Sequence, residues 1–328
     1  MVSERIVLGV GQTFVDRRAA GQCIQESSNG LSCHERHDQG EDMRTRKLRT
    51  LALGAVLATV LATGASAAPA PAPYFNGFEN ATDVGTAPYT SNEAMHDVTR
   101  VPSGTNGVTS AAGGWHAEAN QGLMFTRYGG YSNVFPAGGY TTSVDFYLDQ
   151  ADSPPNSDIR FDWSSAISNA AAVPNHRRDF IFSVGTNGTG GFAVSASNNS
   201  PGWPANPARS PLTITTTGWY TFQHEFYDNG AGVLAVDMSV LDASGNVLKT
   251  WTLSDPSDII GVTVGGNRYG WLVVNAFTNL ALDNITRSGA VADSADDCKD
   301  GGWENVFRSD GSAFKNQGDC VQYVNTGK

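Results

Sequence analysis

Charge is scarce in this chain and unevenly signed. Only 16% of its 328 residues are Asp, Glu, Lys or Arg, and the net charge is −11. From Ala68 onward there are 25 acidic and 13 basic side chains and no basic run. That balance argues against nucleic acid and against anionic membrane surfaces as partners. Glutamate is rarer still: beyond residue 67 only Glu79, Glu93, Glu118, Glu225 and Glu304 occur. The Glu-x-Asp-x-x-Glu strand that supplies a nucleophile and an acid/base for retaining glycoside hydrolysis is therefore missing. G-x-S-x-G, H-E-x-x-H and P-loop patterns are also absent, and each of those chemistries needs its own local geometry.

Long apolar runs are missing too, apart from one near the start. Met43 is followed by Arg44, Arg46, Lys47 and Arg49, then by an uncharged run from Leu51 to Leu61, then by small residues ending in Ala65-Ser66-Ala67. A charged, apolar, small-residue order with an A-x-A site is that of a secretory signal peptide. The run is Ala-rich, is broken by Gly54, Thr59, Thr63 and Gly64, and falls short of the ~20 apolar residues a membrane span needs. Residues 43–67 are read as the signal, and 1–42 as an upstream extension with Met43 the expected start. Residues 68–73, Ala-Pro-Ala-Pro-Ala-Pro, form an extended linker. The expectation is a secreted, extracellular chain with no membrane segment after cleavage.

Cysteine is sparse. Cys23 and Cys33 precede the signal, and their spacing with His34 and His37 fits no zinc pattern. Cys298 and Cys320 remain, and a lone close pair in an oxidising compartment is most simply a disulfide. A polar, small-residue linker over 289–297 joins this paired tail, 298–328, to what precedes it.

Between 74 and 288 short runs alternate with period two between Gly/Asn turns, the pattern of half-buried strands. Tyr140–Asp149 puts Val144, Phe146 and Leu148 on one face. Asp179–Val184 and Gly191–Ser197 flank the turn at 185–188, and Trp219–Tyr227 and Val233–Leu241 flank the turn at 228–232. Both read as hairpins. Ile159–Trp163, Val247–Leu253, Trp271–Asn275 and Leu280–Thr286 complete the strand set. The Ala-rich stretch 165–173 reads as a helical turn. The predicted fold is all-β: a two-sheet antiparallel jelly-roll sandwich with a small disulfide-linked C-terminal tail.

Three stretches carry a family resemblance: Phe75-Asn76-Gly77-Phe78-Glu79-Asn80, Gly218-Trp219-Tyr220-Thr221-Phe222, and Leu280-Ala281-Leu282-Asp283-Asn284-Ile285. The domain resembles the concanavalin A-like (laminin G-like) jelly rolls of secreted bacterial proteins. It also resembles calcium-containing carbohydrate-binding jelly rolls, which open on a Phe-Glu strand and close on an Asp-Asn strand. That resemblance implies a polysaccharide or cell-wall glycan as partner. It also implies a structural Ca2+ held by Glu79 and Asp283 from adjacent first and last strands. The tail resembles a Cys-paired tail of unrelated secreted bacterial proteins through Gly301-Gly302-Trp303, Phe314-Lys315-Asn316-Gln317-Gly318 and Cys320-Val321.

Sugar rings stack their C–H faces on aromatic side chains, and their hydroxyls need planar polar partners. Trp203, in a Pro-rich loop, is the foremost platform candidate, followed by Trp163, Tyr269 and Trp271, with Trp115 beside them. Trp219 and Trp251 are expected in the core. Alternation along 219–227 puts Tyr220, Phe222, His224 and Phe226 on the core face. Gln223 and Glu225 fall on the other face, as polar contacts. The leading expectation is a secreted glycan-binding sandwich without catalysis. The alternative is a polysaccharide hydrolase or lyase using Asp162, His176, Arg177, Gln223 and Glu225, in which Arg and His neutralise a uronate. A structural or adhesive envelope protein is the third reading.

Overall fold

The computed structural model describes residues 73–328, apart from 154–158, 199–209, 290, 293, 305, 309–311 and 328. The signal segment, the linker up to residue 72 and Trp203 lie outside the described residues. Sixteen strands follow one another: β1 (Tyr74–Asn76), β2 (Val84–Gly85), β3 (Met95–His96), β4 (Thr99–Pro102), β5 (Trp115–Ala119), β6 (Gly122–Thr126), β7 (Tyr140–Leu148), β8 (Arg160–Ser168), β9 (His176–Thr186), β10 (Phe192–Asn198), β11 (Leu212–Ile214), β12 (Gly218–Asp228), β13 (Val233–Asp242), β14 (Val247–Ile259), β15 (Asn267–Asn275) and β16 (Leu280–Arg287). They build two eight-stranded sheets. The first runs β14-β13-β12-β7-β16-β5-β4, with β1 paired to β16; the second runs β11-β10-β9-β8-β15-β6-β3-β2. Every pairing is antiparallel except the two-residue contact of β2 with β3.

Alternation decides which side chains fill the space between the sheets. On β7, Tyr140, Thr142, Val144, Phe146 and Leu148 turn inward, every second residue being buried. On β12, Tyr220, Phe222, His224 and Phe226 do the same. Phe146 lies 4.7 Å from Phe161, and Phe182 5.2 Å from Phe222, ring centre to ring centre, so aromatics from both sheets interlock. His224 joins them as a neutral ring. Burial among apolar neighbours pushes its pKa down to about 3, and Nε2 donates to the Phe180 carbonyl at 3.0 Å.

Two sequence expectations change. The predicted strand 159–163 continues to Ser168, so Ser165–Ser168 are extended, not helical, and the bends begin at 170. Ser165 faces the core and accepts a hydrogen bond there from the Thr142 hydroxyl at 2.9 Å, which settles a polar strand residue without a helix. Trp219 is not in the core. It stands on the outer face of the first sheet, its indole N–H donating to the Thr109 carbonyl at 2.9 Å. Trp251 is buried as expected.

The sheets are joined at one end by charge. Asp258 of β14 is 1% exposed and meets two arginines of β9: Arg177 through Nε at 2.8 Å and Arg178 through Nε at 2.5 Å. Arg178 reaches Asp255 as well, at 3.0 Å.

Past β16 the chain forms a second, small core from Ala292, Cys298, Val306, Phe314 and Cys320, packed by Trp303 and Tyr323. Cys298 and Cys320 form the disulfide, which ties helix α1 (Gln317–Thr326) to the preceding turn. Closing a loop of 22 residues contributes roughly 3 kcal/mol in the chain-entropy account.

Removing one member of a buried ion cluster strands the others. Asp258→Ala is expected to destabilise the protein by about 3–5 kcal/mol, read from urea unfolding. A loss under about 1 kcal/mol would show that the two guanidiniums find water instead.

Candidate functional site

The second sheet carries aromatic side chains on both of its faces. Along β15, Leu272 and Val274 turn inward while Tyr269, Trp271 and Val273 turn outward. Trp271 stands opposite Phe125 of β6 and Val273 opposite Leu123. Such cross-strand pairs place side chains about 5 Å apart. Leu123 is 56% exposed and Val273 38%. Together with Phe125, Tyr269 and Trp271 they line a shallow cleft of about 400 Å³. A second depression of about 300 Å³ shares Leu123 and Phe125 and is closed by Pro88, Tyr89, Arg127 and Tyr131. The rings form a continuous patch: Phe125 lies 5.2 Å from Tyr269, Tyr131 6.5 Å from Tyr269, and Tyr89 6.2 Å from Phe125.

Gly270 makes this arrangement possible. A Cβ there would run into the Tyr128 hydroxyl and the Trp163 ring, both inside the sandwich. The outer aromatics of β15 therefore rest on a strand whose inner side is already filled.

Polar groups fix the rings. The Trp271 indole N–H donates to Asp179 Oδ1 at 2.9 Å, and the Ser164 hydroxyl donates to the same oxygen at 3.1 Å. His176 Nε2 lies 2.8 Å from Asp179 Oδ2, and the His176 ring stacks on Tyr269 at 6.1 Å and 11°. Burial alone raises the Asp179 pKa. The hydrogen bonds from His176, Trp271 and Ser164 outweigh it and hold the carboxyl below its ordinary range. Asp179 thus holds Trp271 by its edge.

Asp162 occupies the same outer face one step further along, opposite Ser183 on β9 and Val273 on β15. Its Oδ1 is buried without a hydrogen-bond partner, and burial raises its pKa despite Ser183 and Arg160.

The sequence-predicted residues divide accordingly. Tyr269, Trp271, Asp162 and His176 share this outer face. Trp163 does not: it is fully buried, edge-on to Tyr128 and Phe146, because alternation on β8 sends 161 and 163 inward and 162 and 164 outward. Gln223 and Glu225 lie on the outer face of the other sheet, opposite Ser143 and Ser239, and Thr141 and Asp237. Arg177 is committed to Asp258. The five residues of the enzymatic alternative therefore do not converge. Trp115 is no free platform either, since the Arg100 guanidinium lies 3.4 Å over its ring. Phe125, Leu123, Tyr131, Tyr89 and Arg127 were absent from the sequence candidates. For Leu123 and Phe125 the signal was β6 itself, where both are apolar on the face opposite Met124.

Glu79 and Asp283 both reach the 111–115 segment; Asp283 is on β16, but Glu79 lies past the end of β1, the strand that pairs with β16, and not on a strand as expected. Glu79 Oε1 accepts from the N–H groups of Gly114 (2.9 Å) and Trp115 (3.2 Å), and Asp283 Oδ2 from that of Ala112 (3.2 Å). Burial, with Asp145 nearby, pushes the Asp283 pKa up to about 6 against the backbone N–H groups that it accepts from. Two carboxylates on one loop suit a hard cation in kind, with loop carbonyls as the remaining donors. Among the described residues no three His, Cys, Asp or Glu side chains gather to hold a metal.

No family model and no curated protein matches this chain. Solved structures similar to it include a carbohydrate esterase from Shiga toxin-encoding bacteriophage phi24B, 12% identical over 58% of this chain and 85% of that one, with a TM-score of 0.33. The CBM2 module of the evolved Dit of Lactobacillus casei BL23 phage J-1 is 9% identical over 66% and 96%, TM-score 0.34. An endo-β-1,4-glucuronan lyase from the fungus Trichoderma reesei is 10% identical over 65% and 94%, TM-score 0.31. Likeness at this level carries no functional argument.

Asp179→Ala is expected to cost about 1–3 kcal/mol at pH 7, because it leaves the Trp271 and Ser164 donors unpaired. A depressed carboxyl contributes stability that is fully present above its unfolded pKa and is lost as pH falls through the folded one. The difference between wild type and variant should therefore shrink below pH 4 in denaturant titrations. A difference independent of pH would exclude the ionised role.

Proposed function

We propose that the protein binds carbohydrate in the Phe125–Tyr269–Trp271 cleft. The observation that carries this reading is an exposed aromatic patch on a sheet surface whose key ring is oriented by a half-buried carboxylate, Asp179. Flat apolar rings with fixed edges suit the C–H faces of sugars, and His176 beside them suits hydroxyl groups. Secretion, read from residues 43–67, gives such a surface access to extracellular glycans. The Glu79–Asp283 pair belongs to the same proposal as a structural calcium site tying both chain ends to the 111–115 loop.

A specific observation favours a second reading. Asp162, with its unpartnered buried oxygen, stands near the cleft that His176 flanks, as an acid/base group would. A hydrolase or lyase would release reducing ends or unsaturated uronates.

On a glycan array, Trp271→Ala is expected to weaken binding at least about tenfold, a loss of one ring stack, while Glu225→Ala on the opposite sheet binds as wild type. Loss in Glu225→Ala with retention in Trp271→Ala would move the site to the other face. Product release by wild type that Asp162→Asn abolishes would replace binding by catalysis. Millimolar calcium is expected to raise the melting temperature, and Asp283→Asn to remove that response; a melting temperature indifferent to both calcium and chelator would reject the metal.

A further inference from the structure

In a chain that is acidic overall, Arg127 lines the second depression and Arg268 stands beside the Tyr131 and Tyr269 rings, neither with an acidic partner among the described residues. The Arg127 guanidinium lies 5.1 Å and that of Arg268 4.7 Å from the centre of the Tyr131 ring. Arg268 also lies 5.5 Å from the Tyr269 ring. The Tyr131 ring, 37% exposed, thus has two guanidiniums over it, both held by cation–π attraction. Among the described residues neither arginine has a carboxylate within ion-pairing distance. Arg268 donates to the Pro174 carbonyl at 2.8 Å and the Asn175 side chain at 3.4 Å, and Arg127 to Asn92 at 3.4 Å. The Nε of each is buried and has no acceptor.

Arg100, over Trp115, donates to the Phe78 and Glu79 carbonyls, and three further arginines are ion-paired. Arg177 and Arg178 meet Asp258, and Arg308 meets Asp319. A guanidinium is planar, permanently charged and shaped to clasp oxyanions, so two left without a counter-ion at one cleft edge form an anion-reading arrangement. Three carboxylates lie on the same face, and Asp162 stands opposite Val273, five residues along β15 from Arg268. Asp179 is held by Trp271, Ser164 and His176, and Asp97 accepts from the Tyr89 hydroxyl at 2.5 Å.

We propose that the cleft selects glycans bearing an anionic substituent, with Arg127 and Arg268 as the groups that read it. The aromatic rings hold the sugar ring face, and the guanidiniums take a carboxylate or a sulfate ester projecting toward Tyr131. This rests on the carbohydrate-binding reading and specifies its ligand class.

The test is calorimetric titration of the full chain with four soluble polymers: a polyuronate, the same polyuronate after carboxyl reduction, a sulfated dextran and unmodified dextran. At least one anionic polymer should bind about tenfold or more tighter than its neutral counterpart, with affinity falling as salt rises. Carboxylate and sulfate sources are separated by which pair shows the difference. Arg127→Gln and Arg268→Gln should each bring the ratio of anionic to neutral affinity most of the way toward one. Thermal melts check that the variants fold, and Arg268→Lys, which keeps charge but loses the planar fork, should restore the preference only in part. Equal affinity for charged and neutral polymers, with Trp271→Ala still abolishing binding, would overturn anion selection and leave carbohydrate binding standing. Binding of none of the four, nor of any glycan on an array, would overturn both.

Discussion

Inside the sandwich, Trp163 and Tyr128 press against the backbone of Gly270, and this contact sets what the rest of the second sheet is able to do. Because the core is filled up to the strand itself, β15 cannot sink or twist away from its neighbours. Tyr269 and Trp271 are therefore carried outward at a fixed height, opposite β6. Phe125 meets Trp271 across the strand pair, and the apolar surface of β6 becomes continuous with that of β15. A core contact and a surface cleft are two sides of one strand.

Charge is used in two distinct ways on this scaffold. Asp258 and Asp179 are both engaged carboxylates, but their partners differ. Asp258 draws two arginines across from β9 and closes one end of the sandwich. Asp179 takes neutral donors, the indole of Trp271 and the hydroxyl of Ser164, along with His176. The first arrangement is a cross-link, whereas the second orients a ring. The local sequence His176-Arg177-Arg178-Asp179 looks like a single basic cluster, yet a strand with a bulge at its entry sends its members to opposite sides.

How much of this was legible in the sequence follows from which signals are local. Alternation is local, so the strands β7, β12, β13 and β16, the hairpin turns and the buried face of β12 were all readable, His224 included. The disulfide was readable from compartment and count. The position of Trp163 was not deduced, although its parity with Phe161 against Asp162 contained the answer. Ser165–Ser168 looked helical because alanine and serine say little about extension when the neighbouring strand supplies the pairing. The cleft was only half visible. Tyr269 and Trp271 stood out among turn glycines, whereas Phe125 and Arg127 come from a segment some 140 residues earlier that only the order of the sheet brings alongside. Gln223 and Glu225 fall on the outer face of their own strand, as alternation says, but that strand belongs to the other sheet from Tyr269 and Trp271, because periodicity does not say which sheet a strand joins.

The tail owns its hydrophobic interior. Ala292, Val306, Phe314 and the Cys298–Cys320 bridge enclose one another and borrow nothing from the cluster of Phe146, Phe161 and Phe222. The two clusters share no member, so a change of side chain inside one leaves the packing partners of the other in place.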